Sequence, residues 1–184
     1  MTIEIDDAGT GDLVGDAFIG LLRKETGELI FKTLPIELFK GENWQNKKPF
    51  SETVNLVKEG LTELDFKNNG EIIKICRGNI FDQVREYFLE EGISYEDAIV
   101  EGKLQEAVEG KLVDHLRNDL GVRSKNLTLK SGAKRFFVLF NWVCHNFPKR
   151  ENYVKSGFKK WNTIWRDRAL EKYERIQNSK KRRY

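Results

Sequence analysis

The chain is poor in the residues that punctuate or cross-link a fold. Its 184 residues include three prolines, two cysteines, two histidines and one methionine. Cys76 and Cys144 stand far apart and match no Cys-x-x-Cys metal or redox motif. Both sit in apolar surroundings and are expected to be buried, reduced thiols. His115 falls on an apolar helical face and His145 follows in an aromatic run, so both read as core residues rather than halves of a nucleophile dyad. The chain has no apolar run of about 20 residues, which excludes a membrane-spanning helix. The N-terminus is acidic and carries no signal-peptide pattern, so a cytoplasmic location is expected.

Apolar bulk and charge are plentiful. Hydrophobic residues make up 39%, with 12 Phe and 4 Trp, enough to fill a core. The length suits one domain with an appendage. A net charge of +3 conceals a division. Residues 1–122 hold 14 Lys/Arg against 25 Asp/Glu, and residues 123–184 hold 18 against 4. An acidic body is therefore expected at 1–122 and a basic, aromatic-rich helical arm at 123–184. Such an arm suits a polyanion. The competing reading is that it neutralises the body.

Ile3-Glu4-Ile5-Asp6-Asp7-Ala8-Gly9-Thr10-Gly11 reads as a strand ending in two carboxylates and a glycine turn, and a second apolar strand follows at Ala17. A rigid strand end can present a carboxylate to a metal, and glycines let backbone approach a phosphate. A β-hairpin with a solvated acidic turn is the alternative. Asp12 and Asp16 flank the turn and read as solvated.

Asp6-Asp7-Ala8-Gly9-Thr10-Gly11 with Gly15 resembles the Asp-Glu-Ala-Gly-Arg-Gly signature of type-II ribonucleases H. Asp7-Ala8-Gly9-Thr10 also resembles the Asp-x-Gly-Thr turn of Holliday-junction-resolvase-like proteins and actin-like ATPases. The first alignment leads with Asp6 and the second with Asp7. The resemblance to this ribonuclease-H-like superfamily covers residues 3–20. It implies an α/β fold with a mixed five-stranded sheet, and Mg²⁺ or Mn²⁺ held by carboxylates. Two departures stand out. Thr10 replaces the arginine that senses a ribose 2′-hydroxyl, and Arg77-Gly78 stands where Asp-Gly is expected.

The order of elements agrees with that fold. Ile3–Asp7, Ala17–Lys24 and a segment 29–39 interrupted at Pro35 read as strands. Residues 41–49 read as a polar loop. Ser51 is the expected cap of a helix to Leu64. Residues 71–77 read as a strand, a helix follows to Glu91, and Asp97–Glu101 reads as a short strand. Lys103–Leu120 reads as a helix stopped by Gly121. The order is β-β-β-α-β-α-β-α, with Ile3–Asp7 expected at the centre. Two basic helices are expected beyond it, Ser131–Phe147 and Glu151–Gln177, followed by a frayed tail at 179–184.

Candidate chemistry gathers at three places. Asp6 and Asp7 are the first acids. Glu101 ends a strand, and Glu101, Gln105 and Glu109 form an i, i+4, i+8 column beside Leu104 and Val108. The alternative for Glu109 is an edge position paired with a lysine. Asp6, Asp7, Glu101 and Glu109 are the expected catalytic acids, with Asp6, Asp7 and Glu101 as metal ligands. Gly9, Thr10, Gly11, Arg77, Lys159, Lys160, Arg166 and Arg168 are the expected contacts to nucleic acid, DNA or RNA. Trp142, Trp161, Trp165 and Tyr173 could stack on bases, but the core is the expected place of Trp161 and Trp165. The pattern points to a metal-dependent nuclease or resolvase-like enzyme. A non-catalytic nucleic-acid-binding protein on a degenerate scaffold accommodates Arg77 and Thr10. A nucleotide-binding protein of the actin-like kind ranks last, because the chain is too short for two lobes.

Overall fold

The computed structural model describes residues 1–128 and 132–182. Strands β1 (Thr2–Ala8), β2 (Ala17–Arg23) and β3 (Leu29–Leu34) form an antiparallel meander. Strands β4 (Ile72–Cys76) and β5 (Tyr95–Ala98) run parallel to β1, giving the order β3-β2-β1-β4-β5. The protein is thus α/β with a mixed five-stranded sheet, and β1 is central as expected. Ile3 to Asp6 are all buried, because a central strand is covered on both faces.

Alternation along β1 divides the core in two. Ile3 and Ile5, with Ile19, Leu21 and Ile73, pack against Val57 and Leu61 of α2 (Lys48–Glu63) and Phe88 of α3 (Asp82–Glu90). Ala8, Phe18 and Leu22 meet Leu104, Val108 and Leu112 of α4 (Lys103–Asp114) on the other face. Gly20 makes that second contact close. A Cβ there would lie 2.3 Å from Val108 Cγ1 and 2.8 Å from Leu104 Cδ1.

Several boundaries differ from the sequence reading. β3 ends at Leu34, because Pro35 cannot extend the ladder, and Ile36–Phe39 coil into a 3₁₀ turn. Part of the expected polar loop is helical, α1 (Gly41–Gln45). α2 begins at Lys48, and Ser51 Oγ donates to the Lys48 carbonyl at 3.2 Å instead of capping. β5 lies earlier than expected and leaves Glu101 outside the strand. α4 ends at Asp114 and continues as a π-helical turn, His115–Asp119. Ser131, the expected first residue of the next helix, lies outside the described residues, as do Arg183 and Tyr184 of the expected tail.

The largest correction concerns the helix expected over Glu151–Gln177. After α5 (Gly132–His145) and the short α6 (Phe147–Arg150), the chain forms a 3₁₀ turn and then extends at Val154. Val154 bridges Val14, Lys155 N–H donates to the Leu13 carbonyl at 2.9 Å, and Gly15 N–H donates to the Tyr153 carbonyl at 3.0 Å. Val154 and Lys155 are fully buried, so backbone pairing with the turn after β1 overrides the helical pattern. Helix resumes as a π turn at Trp161–Trp165 and runs on as α7 (Arg166–Lys181). The arm also shares the core. Leu139, Phe140, Val143, Trp161 and Ala169 belong to the cluster containing Leu104 and Leu112. Among the described residues, no helix is long and apolar enough to cross a membrane.

Candidate metal centre

The C-terminal end of β1 carries Asp6 and Asp7. The parallel register pairs Ile5 with Ile75, which sets Cys76 beside Asp6. One ligand atom each from Asp6, Asp7 and Cys76 lies within 4.8 Å of the others. Thr10 Oγ1 donates to Asp7 Oδ2 at 2.5 Å. The loop after β4 closes the other side: a Cβ on Gly78 would fall 3.1 Å from Asp7 Oδ1.

Enclosing two neighbouring carboxylates opposes their ionisation. Burial raises Asp6 above the ordinary carboxyl range, opposed by a hydrogen bond from Cys76 and reinforced by Glu109 and Glu4. Burial pushes Asp7 up to about 6, opposed by the Thr10 hydroxyl and reinforced by Asp6 and Glu109. The Cys76 thiol is pushed up to about 11, first by burial and then by the neighbouring aspartates. It is therefore a neutral donor to Asp6 near neutral pH. Its apolar surroundings, expected from sequence, are corrected to a place beside two acids.

A cavity of about 310 Å³ opens next to Asp7, lined by Gly9, Thr10, Gly11, Asp12, Glu109, Arg135 and Phe136 among others. Gly9 adopts φ +86°, and a Cβ there would meet Leu112 Cδ1 at 2.9 Å, so the turn requires glycine on two counts. Beneath the turn, Lys155 Nζ donates to the carbonyls of Gly9 at 2.5 Å and Asp12 at 3.2 Å. Burial holds this ammonium down to about 8, while Asp12, Asp16 and Asp7 favour its charge. Arg135 spans the cavity wall, with Nε at 2.8 Å from Asp12 Oδ1 and Nη1 at 2.8 Å from Glu109 Oε2.

The expected site residues divide. Asp6, Asp7, Gly9, Thr10 and Gly11 converge, and Glu109 faces Asp7 across the same cavity. Glu109 also pairs with a cation, as its alternative reading required, but an arginine of the arm. Glu101 is exposed and lines a different cavity, of about 680 Å³, so it does not join the group formed by Asp6, Asp7 and Cys76. Arg77 is exposed just beyond β4. Lys159 and Lys160 are exposed, Arg166 pairs with Glu151 at 2.6 Å, and Arg168 lies 5.1 Å from the Trp165 ring.

Asp12 and Asp16 are not solvated turn residues. Asp12 is buried against Arg135, and Asp16 accepts from the Ile36 N–H at 2.8 Å. His115 serves the same turn by accepting the Asp16 N–H at 3.1 Å. Sequence reasoning missed Cys76, Arg135 and Lys155. Cys76 could have been found by aligning the ends of β1 and β4, whereas Arg135 and Lys155 carry no local signal.

Comparison of the chain with protein-family models and with curated proteins finds no match. The chemistry of the site therefore rests on its own geometry. Asp6 and Asp7 offer hard oxygen donors that suit a divalent cation, with Glu109 nearby. A protonated thiol is a poor ligand, so Cys76 is better suited to orienting Asp6 by its hydrogen bond.

Proposed function

We propose that the protein is a divalent-metal-dependent phosphodiester hydrolase acting on nucleic acid, built on a ribonuclease-H-like scaffold. One observation carries the reading: two carboxylates with raised pKa values share the end of the central strand, where a glycine turn opens a cavity. Enclosed neighbouring acids are costly without a cation, and a metal relieves that cost. Asp6 and Asp7 would hold Mg²⁺ or Mn²⁺. When bound, the ion would polarise a phosphoryl oxygen and acidify water. Gly11 is exposed where this turn lines the cavity, and a glycine turn there lets a phosphate approach the backbone. A mixed five-stranded sheet with β1 at its centre accords with the α/β fold that the resemblance at residues 3–20 implies.

The test is thermal unfolding of the full chain with and without Mg²⁺ or Mn²⁺, paired with cleavage assays on DNA and RNA. We expect metal to raise Tm, and Asp7→Asn to abolish both that rise and any cleavage. No metal-dependent change in Tm and no cleavage of any nucleic acid would remove the hydrolase reading.

A second reading has its own observation. The end of β4 places Cys76, not an acid, beside Asp6, and Arg77 follows it. A non-catalytic nucleic-acid-binding protein fits this substitution. Binding without cleavage, in the presence of metal, would select it.

A further inference from the structure

Away from the aspartates, a groove of about 760 Å³ runs along α7 and is bordered by Phe140 of α5. Its floor is aromatic: Phe140 and the half-buried Trp165 line it, with ring centroids 5.2 Å apart. Phe137, half exposed at 52%, packs edge-on to Trp165 at 5.9 Å and extends the aromatic surface into solvent. Its rim is cationic, since Arg168, Lys172, Arg175 and Lys180 line the groove against one acid, Glu171. Arg168 lies over the Trp165 ring, and Lys172 Nζ reaches Asn141 Oδ1 at 2.5 Å across the groove.

The spacing has a consequence. Arg168, Lys172 and Arg175 stand at i, i+4 and i+7, which places them in one row along about 10 Å of helix. A row of cations beside a row of rings matches a polymer with a charged backbone and flat apolar faces. Duplex DNA and RNA offer the charge but keep their base faces stacked internally. Unpaired strands offer both.

From this charge and shape complementarity we infer that the groove along α7 binds single-stranded nucleic acid, with phosphates along Arg168, Lys172 and Arg175 and a base on Trp165. The inference rests on the nucleic-acid half of the function proposed above and is independent of hydrolysis. It also relocates the expected contact. Lys159, Lys160 and Arg166 do not line the groove, whereas Arg175 does and there shares its guanidinium with Glu171 at 3.6 Å.

The experiment uses the full chain in EDTA, which removes metal bridging and cleavage. Binding of a labelled oligothymidylate of about 12 nucleotides is compared with a duplex of equal length at about 50 and about 200 mM salt. We expect the single strand to bind at least about tenfold tighter than the duplex and to quench tryptophan fluorescence. Lys172→Glu with Arg175→Glu should weaken single-strand binding about tenfold or more and flatten the salt slope by about 1.4, two contacts at about 0.7 each. Trp165→Leu should lose about tenfold in affinity and most of the quenching without altering the slope. Because Trp165 touches the core, the exposed charge pair decides the matter if that variant unfolds.

Equal or tighter binding to duplex, or a charge variant that binds as wild type, overturns the inference. So does binding to anionic vesicles but not to the oligonucleotide. If the groove fails while Asp7-dependent cleavage persists, this inference alone falls. If no nucleic acid is bound or cleaved, the function proposed above falls with it.

Discussion

Asp7 and Lys155 are opposite charges enclosed around one turn, and they respond to pH in opposite senses. Asp7 is raised from 3.8 to about 6. The folded state therefore holds more protons than the unfolded state between those values, so this group's contribution to stability is lost as pH rises through about 6. In metal-free protein, Asp7→Asn should be more stable than wild type above pH 6, by about 2–3 kcal/mol at most. The difference should shrink below about pH 4, near the ordinary carboxyl value. Urea melts across that range check it, and a pH-independent difference would mean that Asp7 is not strained by its enclosure. Lys155 is lowered from 10.5 to about 8. Here the unfolded state binds more protons between about 8 and 10.5, so stability rises with pH in that window. Relative to Lys155→Met, wild type should gain about 2 kcal/mol between about pH 7.5 and 9.5. The difference of the two urea titrations isolates this group, because the other lysines and tyrosines are common to both. A flat difference would place the ammonium in contact with solvent.

At the scale of elements, the site depends on how closely α4 approaches the sheet. Gly20 permits that approach, and Glu109 rides on the same helix. Gly20→Ala should displace α4 and cost about 1–3 kcal/mol through overpacking. It should also reduce the metal-induced rise in Tm, because Glu109 moves with α4. Leu61→Ala, in the core across the sheet, should cost about 2–5 kcal/mol yet leave the metal response intact. Equal metal responses in the two variants would detach Glu109 from the centre. Strand β1, its antiparallel partner and the pair Asp6–Asp7 were legible in the sequence because apolar alternation and a glycine turn are local signals. Cys76 was not, since its neighbour is set by the register of two strands distant in sequence. Glu101 misled because β5 ends before it, at Ala98. Lys155 was hidden inside a convincing helical pattern: Val154, Phe158, Trp161 and Trp165 keep helical spacing, yet Val154 is extended. The apolar residues of that pattern still turn inward, but along a bent path decided by pairing with Val14.

At the scale of the molecule, the division of charge does not coincide with a division of the core. Arg135 joins the arm to Asp12 and Glu109 of the body, whereas Arg166 and Arg175 pair with Glu151 and Glu171 inside the arm. Lys159, Lys160, Arg168 and Lys172 are exposed, so much of the arm's charge faces outward while its apolar side faces α4. The arm thus serves both as a cationic surface and as part of the core on the α4 side of the sheet. Leu139, Phe140, Val143 and Trp161 are buried at 6% exposure or less. Burying four such side chains contributes on the order of 6–12 kcal/mol, comparable with the whole stability of about 5–15 kcal/mol typical of a domain. Residues 1–122 expressed alone would also lose the Lys155 ammonium beneath the Gly9–Asp12 turn. We therefore expect that fragment to lack a cooperative thermal transition and to bind a hydrophobic dye, with the strands retained in far-ultraviolet circular dichroism. The full chain should melt in one transition. A fragment melting cooperatively within a few degrees of the full chain would instead make the acidic body an independent domain and reduce the arm to an accessory surface. Charge reversal on the exposed face of α7 should leave the melting of the full chain nearly unchanged, because exposed substitutions of this kind usually stay within about 0.5 kcal/mol. Together the two measurements separate the arm's contribution to folding, carried by its apolar side, from its contribution to binding, carried by its cations.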